Sequence, residues 1–106
     1  MRIYVDIDGT LTNKQTGRSF FKPEIGLRED VIAKVKQQYD KGDEIILWTG
    51  NTEYAEKVAA FLLVTYHIKV TAAIGKPHMI IDNEKKKFGR KLKRRVILPE
   101  EFILMP

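Results

Sequence analysis

The chain has 106 residues, which is expected to give one domain spanning 1–106 and is too little for two independent cores. It lacks cysteine, excluding disulfides, thiolate metal sites and thiol nucleophiles, and its longest apolar stretches are strand-sized, well short of a membrane-spanning helix. The net charge of +5 is unevenly spread: residues 85–95 hold eight of the 19 basic residues and no acidic one, while the rest carries 11 basic against 14 acidic side chains. The apolar stretch after Arg2 is broken at once by Asp6, so no signal peptide is expected and a cytoplasmic location follows as the default.

In chain order, Ile3, Tyr4 and Val5 are β-branched or aromatic and uncharged, predicting a buried strand from about Ile3 to Asp6. Asp6 and Asp8 follow two residues apart, and Asp8-Gly9 is a turn signal. In extended chain that spacing puts both carboxylates on one side, roughly 7 Å apart. Two adjacent carboxylates at a strand end repel, so a bound cation or a retained proton must offset the charge. The plainer reading is a solvated acidic turn. Residues 12–22 read as irregular, with Asn13, Gly17 and Ser19 as turn formers among Lys14, Arg18 and Lys22. Phe20-Phe21 has two readings, packing against the following helix or lining a substrate entrance.

Leu27, Val31, Ile32, Val35 and Tyr39 fall at helical spacing between Leu27 and Lys41, with Gly42 as the stop. Glu44 to Trp48 is the second predicted strand. Asn51 or Thr52 can cap the next helix, with Glu53 and Glu56 favourably placed against its dipole. Its apolar face comprises Ala55, Val58, Ala59, Leu62, Leu63 and Tyr66. His67 ends that helix, where an imidazole can cap free carbonyls, and His78 reads as an exposed loop residue. Val70–Ile74, Met79–Asp82 and Val96–Leu98 are three further predicted strands. Pro99-Glu100-Glu101 opens a terminal turn whose Phe102, Ile103 and Leu104 are expected to pack on the core. Strand alternating with helix predicts a doubly wound, mostly parallel five-stranded α/β sheet. One junction is at odds with it: only Gly75 to Met79 separates strands three and four, whereas a parallel crossover needs a dozen residues or more.

Four short stretches, in order, carry a resemblance. Asp6-Ile7-Asp8-Gly9-Thr10 resembles the first motif of the haloacid dehalogenase superfamily of phosphoryl-transfer enzymes. Ile45-Ile46-Leu47-Trp48-Thr49-Gly50 resembles the second, Gly75-Lys76-Pro77 the lysine-bearing third, and Ile80-Ile81-Asp82-Asn83 the acidic fourth. Four motifs in sequence are far more specific than one. Fewer than 40 residues separate the first motif from the second, leaving no room for an inserted cap domain. The chain therefore resembles the capless members with a Rossmann-like sheet, and its short Lys76-Pro77 and Asp82-Asn83 motifs followed by Leu98-Pro99-Glu100-Glu101-Phe102 most resemble the small ones associated with surface-polysaccharide biosynthesis.

The resemblance implies a Mg²⁺-dependent phosphatase. Asp6 would be the nucleophile that forms an aspartyl-phosphate, and Asp8 the acid and base. The Asp6 carboxylate, the Asp8 main-chain carbonyl and Asp82 would hold the metal. Thr49 and the Gly50 amide would cradle phosphate, a role compatible with Thr49 as a helix cap, and Lys76 would balance the charge. On spacing alone, Lys76 reads equally as a surface lysine and Asp82 as a strand-terminating turn residue. Many members carry a second acid where this chain has Asn83, which predicts weaker metal retention or help from Glu84.

Segment 85–95 reads either as a solvated basic loop or as an anion-attracting patch. Phe88 is its only aromatic residue, which gives base stacking little support. The expected partner is a phosphorylated small molecule such as a sugar phosphate. A polynucleotide terminal phosphate is the first alternative, and a non-catalytic phosphate-binding or interaction module the second. No membrane partner is expected, and a homo-oligomer that uses a neighbour as its lid is compatible with a capless chain.

Overall fold

Ile45, Ile46 and Leu47 are successive buried residues at the centre of the molecule, and the whole described sheet is arranged about them. A strand buried on consecutive residues is covered on both faces, as parallel strands are. The computed structural model describes residues 1–76, 79, 81 and 96–106. Strand β1 is Arg2–Asp6, β2 is Glu44–Thr49 and β3 is Ala72–Gly75. All three are parallel, in the order β1-β2-β3. Helix α1 (Glu29–Asp40) connects β1 to β2, and helix α2 (Thr52–Tyr66) connects β2 to β3. Gly42 at φ 98° stops the chain after α1, a left-handed conformation that glycine adopts without steric cost. A short terminal helix α3 (Pro99–Phe102) follows, with Pro in its first turn.

The core joins Val5 and Ile7, Ile45 and Leu47, Val31, Ile32 and Val35 of α1, and Ala55, Val58 and Leu62 of α2. Most of the predicted helix faces are therefore correct. Leu63 is not part of its face, being 47% exposed, and Leu104 is 83% exposed while Phe102 and Ile103 pack on the core. Asn51 caps α2: its side-chain oxygen accepts from the Tyr54 amide at 3.1 Å. Replacing it with alanine leaves that amide unpartnered and should cost about 1 kcal/mol in urea unfolding. An unchanged midpoint would show that water satisfies the helix end equally well. At the other end His67 acts through its backbone, at φ 58°, donating its amide to the Leu63 carbonyl.

The five-stranded expectation is met by three strands among the described residues. Val96–Leu98 forms none: Val96 is 89% and Leu98 59% exposed. Its β-branched composition suits a strand, but composition alone supplies no neighbour to pair with. Of the expected fourth strand, Met79 and Ile81 stand exposed outside any strand. Ile80 and Asp82 lie outside the described residues, as do His78, Asn83, Glu84 and the basic segment 85–95. Strand β3 begins two residues later than predicted, at Ala72. Among the described residues, no helix is long and apolar enough to cross a membrane.

Candidate active site

Register brings the site together. Asp6 pairs with Trp48, so Asp6 is the last residue of β1 and Thr49 extends one residue beyond it on β2. Thr49 in turn pairs with Gly75, the last residue of β3, and Lys76 follows at once. The carboxyl ends of three adjacent parallel strands thus carry Asp6, Thr49 and Lys76 side by side, the edge where open α/β sheets bind ligands. The Lys76 amide donates to the Thr49 carbonyl, fixing the chain as it leaves β3. Its ammonium reaches Asp6 Oδ1 at 3.2 Å. Both side chains are substantially exposed, so the pair contributes little to stability and remains open to an incoming anion.

Thr49 is buried, 8% exposed, and its hydroxyl has no partner among the described residues because Asn51 does the capping. Gly50 is exposed, and a Cβ built on it would meet nothing within 4 Å. The open space beside this glycine, just ahead of a helix, leaves room for a phosphate oxygen to approach the backbone.

Asp8 departs from the extended arrangement expected of it. The strand ends at Asp6, and the Ile7 carbonyl accepts from the Thr10 and Leu11 amides at 3.1 and 2.9 Å. This tight turn separates the fates of the two carboxylates. Asp6 faces Lys76, whereas Asp8 faces the loop that follows. Asp8 Oδ1 accepts from the Ser19 hydroxyl at 2.7 Å, the Tyr54 hydroxyl at 2.9 Å and the Ser19 amide at 3.1 Å, while Oδ2 accepts from the Arg18 amide at 3.0 Å. Each carboxylate thus has its own electropositive partners, which removes the repulsion expected of an unaided pair.

The loop is built to supply those donors. Thr12 and Leu27 form an antiparallel bridge, flanked by Asn13 amide to Gly26 carbonyl and Arg28 amide to Leu11 carbonyl bonds, which closes the base of the 13–26 excursion. Inside it, the buried Thr12 hydroxyl accepts from the Gly9 amide at 3.0 Å and lies 3.2 Å from Ser19 Oγ. Gly17 and Arg18 both adopt positive φ, 38° and 52°. For Arg18 this costs roughly 1–2 kcal/mol, and it aims two successive amides at one carboxylate, a backbone concavity suited to an anion. Phe20 is 5% exposed and Phe21 49%. Their aromatic partners stand on α2 rather than on the following helix: Phe61 at 5.3 Å from Phe20, and Tyr54 at 6.1 Å from Phe21. The buried Phe20 is a core residue, and only Phe21 retains an exposed face.

Tyr54 and Ser19 are the residues that sequence reading passed over. Tyr54 occupies the third position of α2, and helical side chains lean toward their N-terminus. A long polar-tipped ring so close to the Thr49-Gly50 strand end was the available signal. Ser19 was visible only as a turn former. Burial pushes the Tyr54 phenol well above its ordinary value near 10, and the Asp8 carboxylate pushes it the same way. The unfolded chain therefore loses this proton first. The associated stability is fully present below about pH 10 and is lost as pH rises through the folded value. Urea midpoints over roughly pH 9–12 should fall more steeply in the parent than in Tyr54→Phe; parallel curves would contradict a buried phenol.

No family model and no curated protein matches this chain. It is similar in structure to a Vibrio cholerae protein solved as a structural-genomics target, with a TM-score of 0.58 and 23% identity, covering 99% of this chain and 89% of that one. That likeness extends along the chain and concerns the fold: a small α/β protein with parallel strands and helices.

Proposed function

We propose that this chain is a Mg²⁺-dependent phosphomonoesterase working through an aspartyl-phosphate on Asp6, acting on a sugar phosphate or another small phosphorylated metabolite. The fold that goes with this function is a Rossmann-like parallel sheet of the haloacid dehalogenase type, without a cap. The observation that carries the proposal is the Asp6–Lys76 pair, 3.2 Å apart at the strand ends beside Thr49 and Gly50.

Asp6 Oδ2 and the Asp8 main-chain carbonyl accept no hydrogen bond among the described residues. Both are hard oxygen donors of the kind Mg²⁺ prefers. They would hold the ion together with Asp82, which lies outside the described residues. Bound Mg²⁺ would supply charge neutralisation for a dianionic ester. The remaining chemistry belongs to the chain. Asp6 attacks phosphorus, and the bond from phosphorus to the ester oxygen breaks. Asp8 gives its proton to the departing oxygen and later takes one from the water that attacks the acyl phosphate. That water releases inorganic phosphate and restores the Asp6 carboxylate. Lys76 offsets negative charge on the phosphoryl oxygens, while Thr49 and the Gly50 amide orient them.

The test is turnover by metal-loaded protein of a panel containing sugar phosphates, a chromogenic phosphate ester and 3′- and 5′-phosphorylated oligonucleotides. Sugar phosphates should be turned over best. Oligonucleotides preferred with a steep salt dependence that disappears on neutralising Lys85, Lys86 and Lys87 would shift the assignment to polynucleotide ends. Absence of turnover across the whole panel would leave a phosphate-binding module.

A further inference from the structure

We propose that Tyr54 is a positioning residue that fastens the 18–21 loop to the site by bridging the Phe20 amide and the Asp8 carboxylate. The Phe20 amide donates to the Tyr54 hydroxyl at 2.8 Å, and that hydroxyl donates to Asp8 Oδ1 at 2.9 Å. One oxygen therefore links three elements: the loop, helix α2 and the turn after β1. Accepting a bond from the amide polarises the phenolic O–H, so the two bonds strengthen each other. Tyr54 is 5% exposed, Phe20 5% and Ser19 fully buried, so water competes poorly for these groups.

The geometry also explains why this task falls to Tyr54. Asp8 collects donors from three sources, but the Arg18 and Ser19 contacts move with the loop itself. Tyr54 is the donor to Asp8 that stands on a helix of the core, beside buried Ala55 and Val58. It gives the loop a fixed point outside its own backbone. Opening the loop must break the Phe20 bond and loosen Asp8 in the same movement, so loop closure and the orientation of Asp8 are one event. A phenylalanine at this place would keep the ring packing and lose only the bridge.

The claim about orientation needs no catalysis, while its kinetic consequence rests on the phosphatase reading of Asp8. Tyr54→Phe is therefore read in two ways. Amide hydrogen exchange at Phe20 should accelerate by about tenfold or more relative to the parent, with the Leu47 amide of β2 unaffected. In steady-state turnover of a phosphate ester, kcat should fall by about tenfold, with KM nearly unchanged because Thr49, Gly50 and Lys76 are untouched. Unchanged exchange at Phe20 overturns the proposal. So does equal acceleration at Phe20 and Leu47, which would make Tyr54 a general stabiliser, or faster exchange at Phe20 with kcat intact. If the parent turns over no phosphoester, the function reading fails by itself, and the exchange comparison alone decides the bridge. A double-mutant cycle on Phe20 exchange, pairing Tyr54→Phe with Asp8→Ala, should be non-additive; additive effects would mean that Tyr54 does not act through Asp8.

Discussion

Asp6→Asn should abolish phosphoester turnover while leaving the protein folded. The substitution keeps the shape of the side chain and replaces the carboxylate proposed as the nucleophile with an amide, which could not form the acyl phosphate. A loss on the order of 10⁴-fold or more in kcat is expected for removal of a covalent nucleophile. Stability should hardly change. The Asp6 and Lys76 side chains are 35% and 42% exposed, and an ion pair that open to water contributes less than about 1 kcal/mol. Matched urea unfolding curves with lost activity would place the effect in chemistry rather than folding. Activity retained within about tenfold would remove Asp6 from the nucleophile role, and with it the reading of the strand-end cluster.

Leu47→Ala should produce the largest loss of stability. Leu47 has no exposed surface and lies on the central strand, with β1 on one side and β3 on the other. Truncating it removes buried methyl groups and leaves a cavity that paired neighbours cannot readily close, at a cost of about 2–5 kcal/mol. For a chain of this size that is a large share of the total, roughly 5–15 kcal/mol, and corresponds to a fall of about 10 °C or more in Tm. Leu104→Ala is the control, since that side chain is 83% exposed. Thermal unfolding monitored by circular dichroism separates the two. Similar shifts for both would mean that the core is not organised about β2.

Much of the fold was legible because burial leaves a local trace. The apolar run Ile45-Ile46-Leu47 announces a strand, and the spacing of Val31, Ile32 and Val35 announces one face of α1. Neither inference needs knowledge of a distant residue. The buried strand expected at Ile3-Tyr4-Val5, by contrast, is only partly so, with Tyr4 40% exposed. Val96–Leu98 marks the limit, because a strand requires a partner and the apolar residues there do not name one. The same limit explains Leu63 and Leu104: hydrophobic character says that burial is favourable, not that surface remains for them to cover.

Strand ends and turn signals are encoded within a few residues, so local pattern alone ends the first strand at Asp6 and places the ends of the next two at Trp48 and Ile74, each one residue short of Thr49 and Gly75. Tertiary structure alone decided that Lys76 meets Asp6 and that Asp8 turns away toward Ser19, Arg18 and Tyr54. Strand register fixed the first, and a positive-φ loop packed beneath α2 fixed the second. Asp8 and Tyr54 are 46 positions apart. A hydrogen bond is directional and acts only at contact distance, so no local pattern in the chain could have revealed that pair before α2 packed.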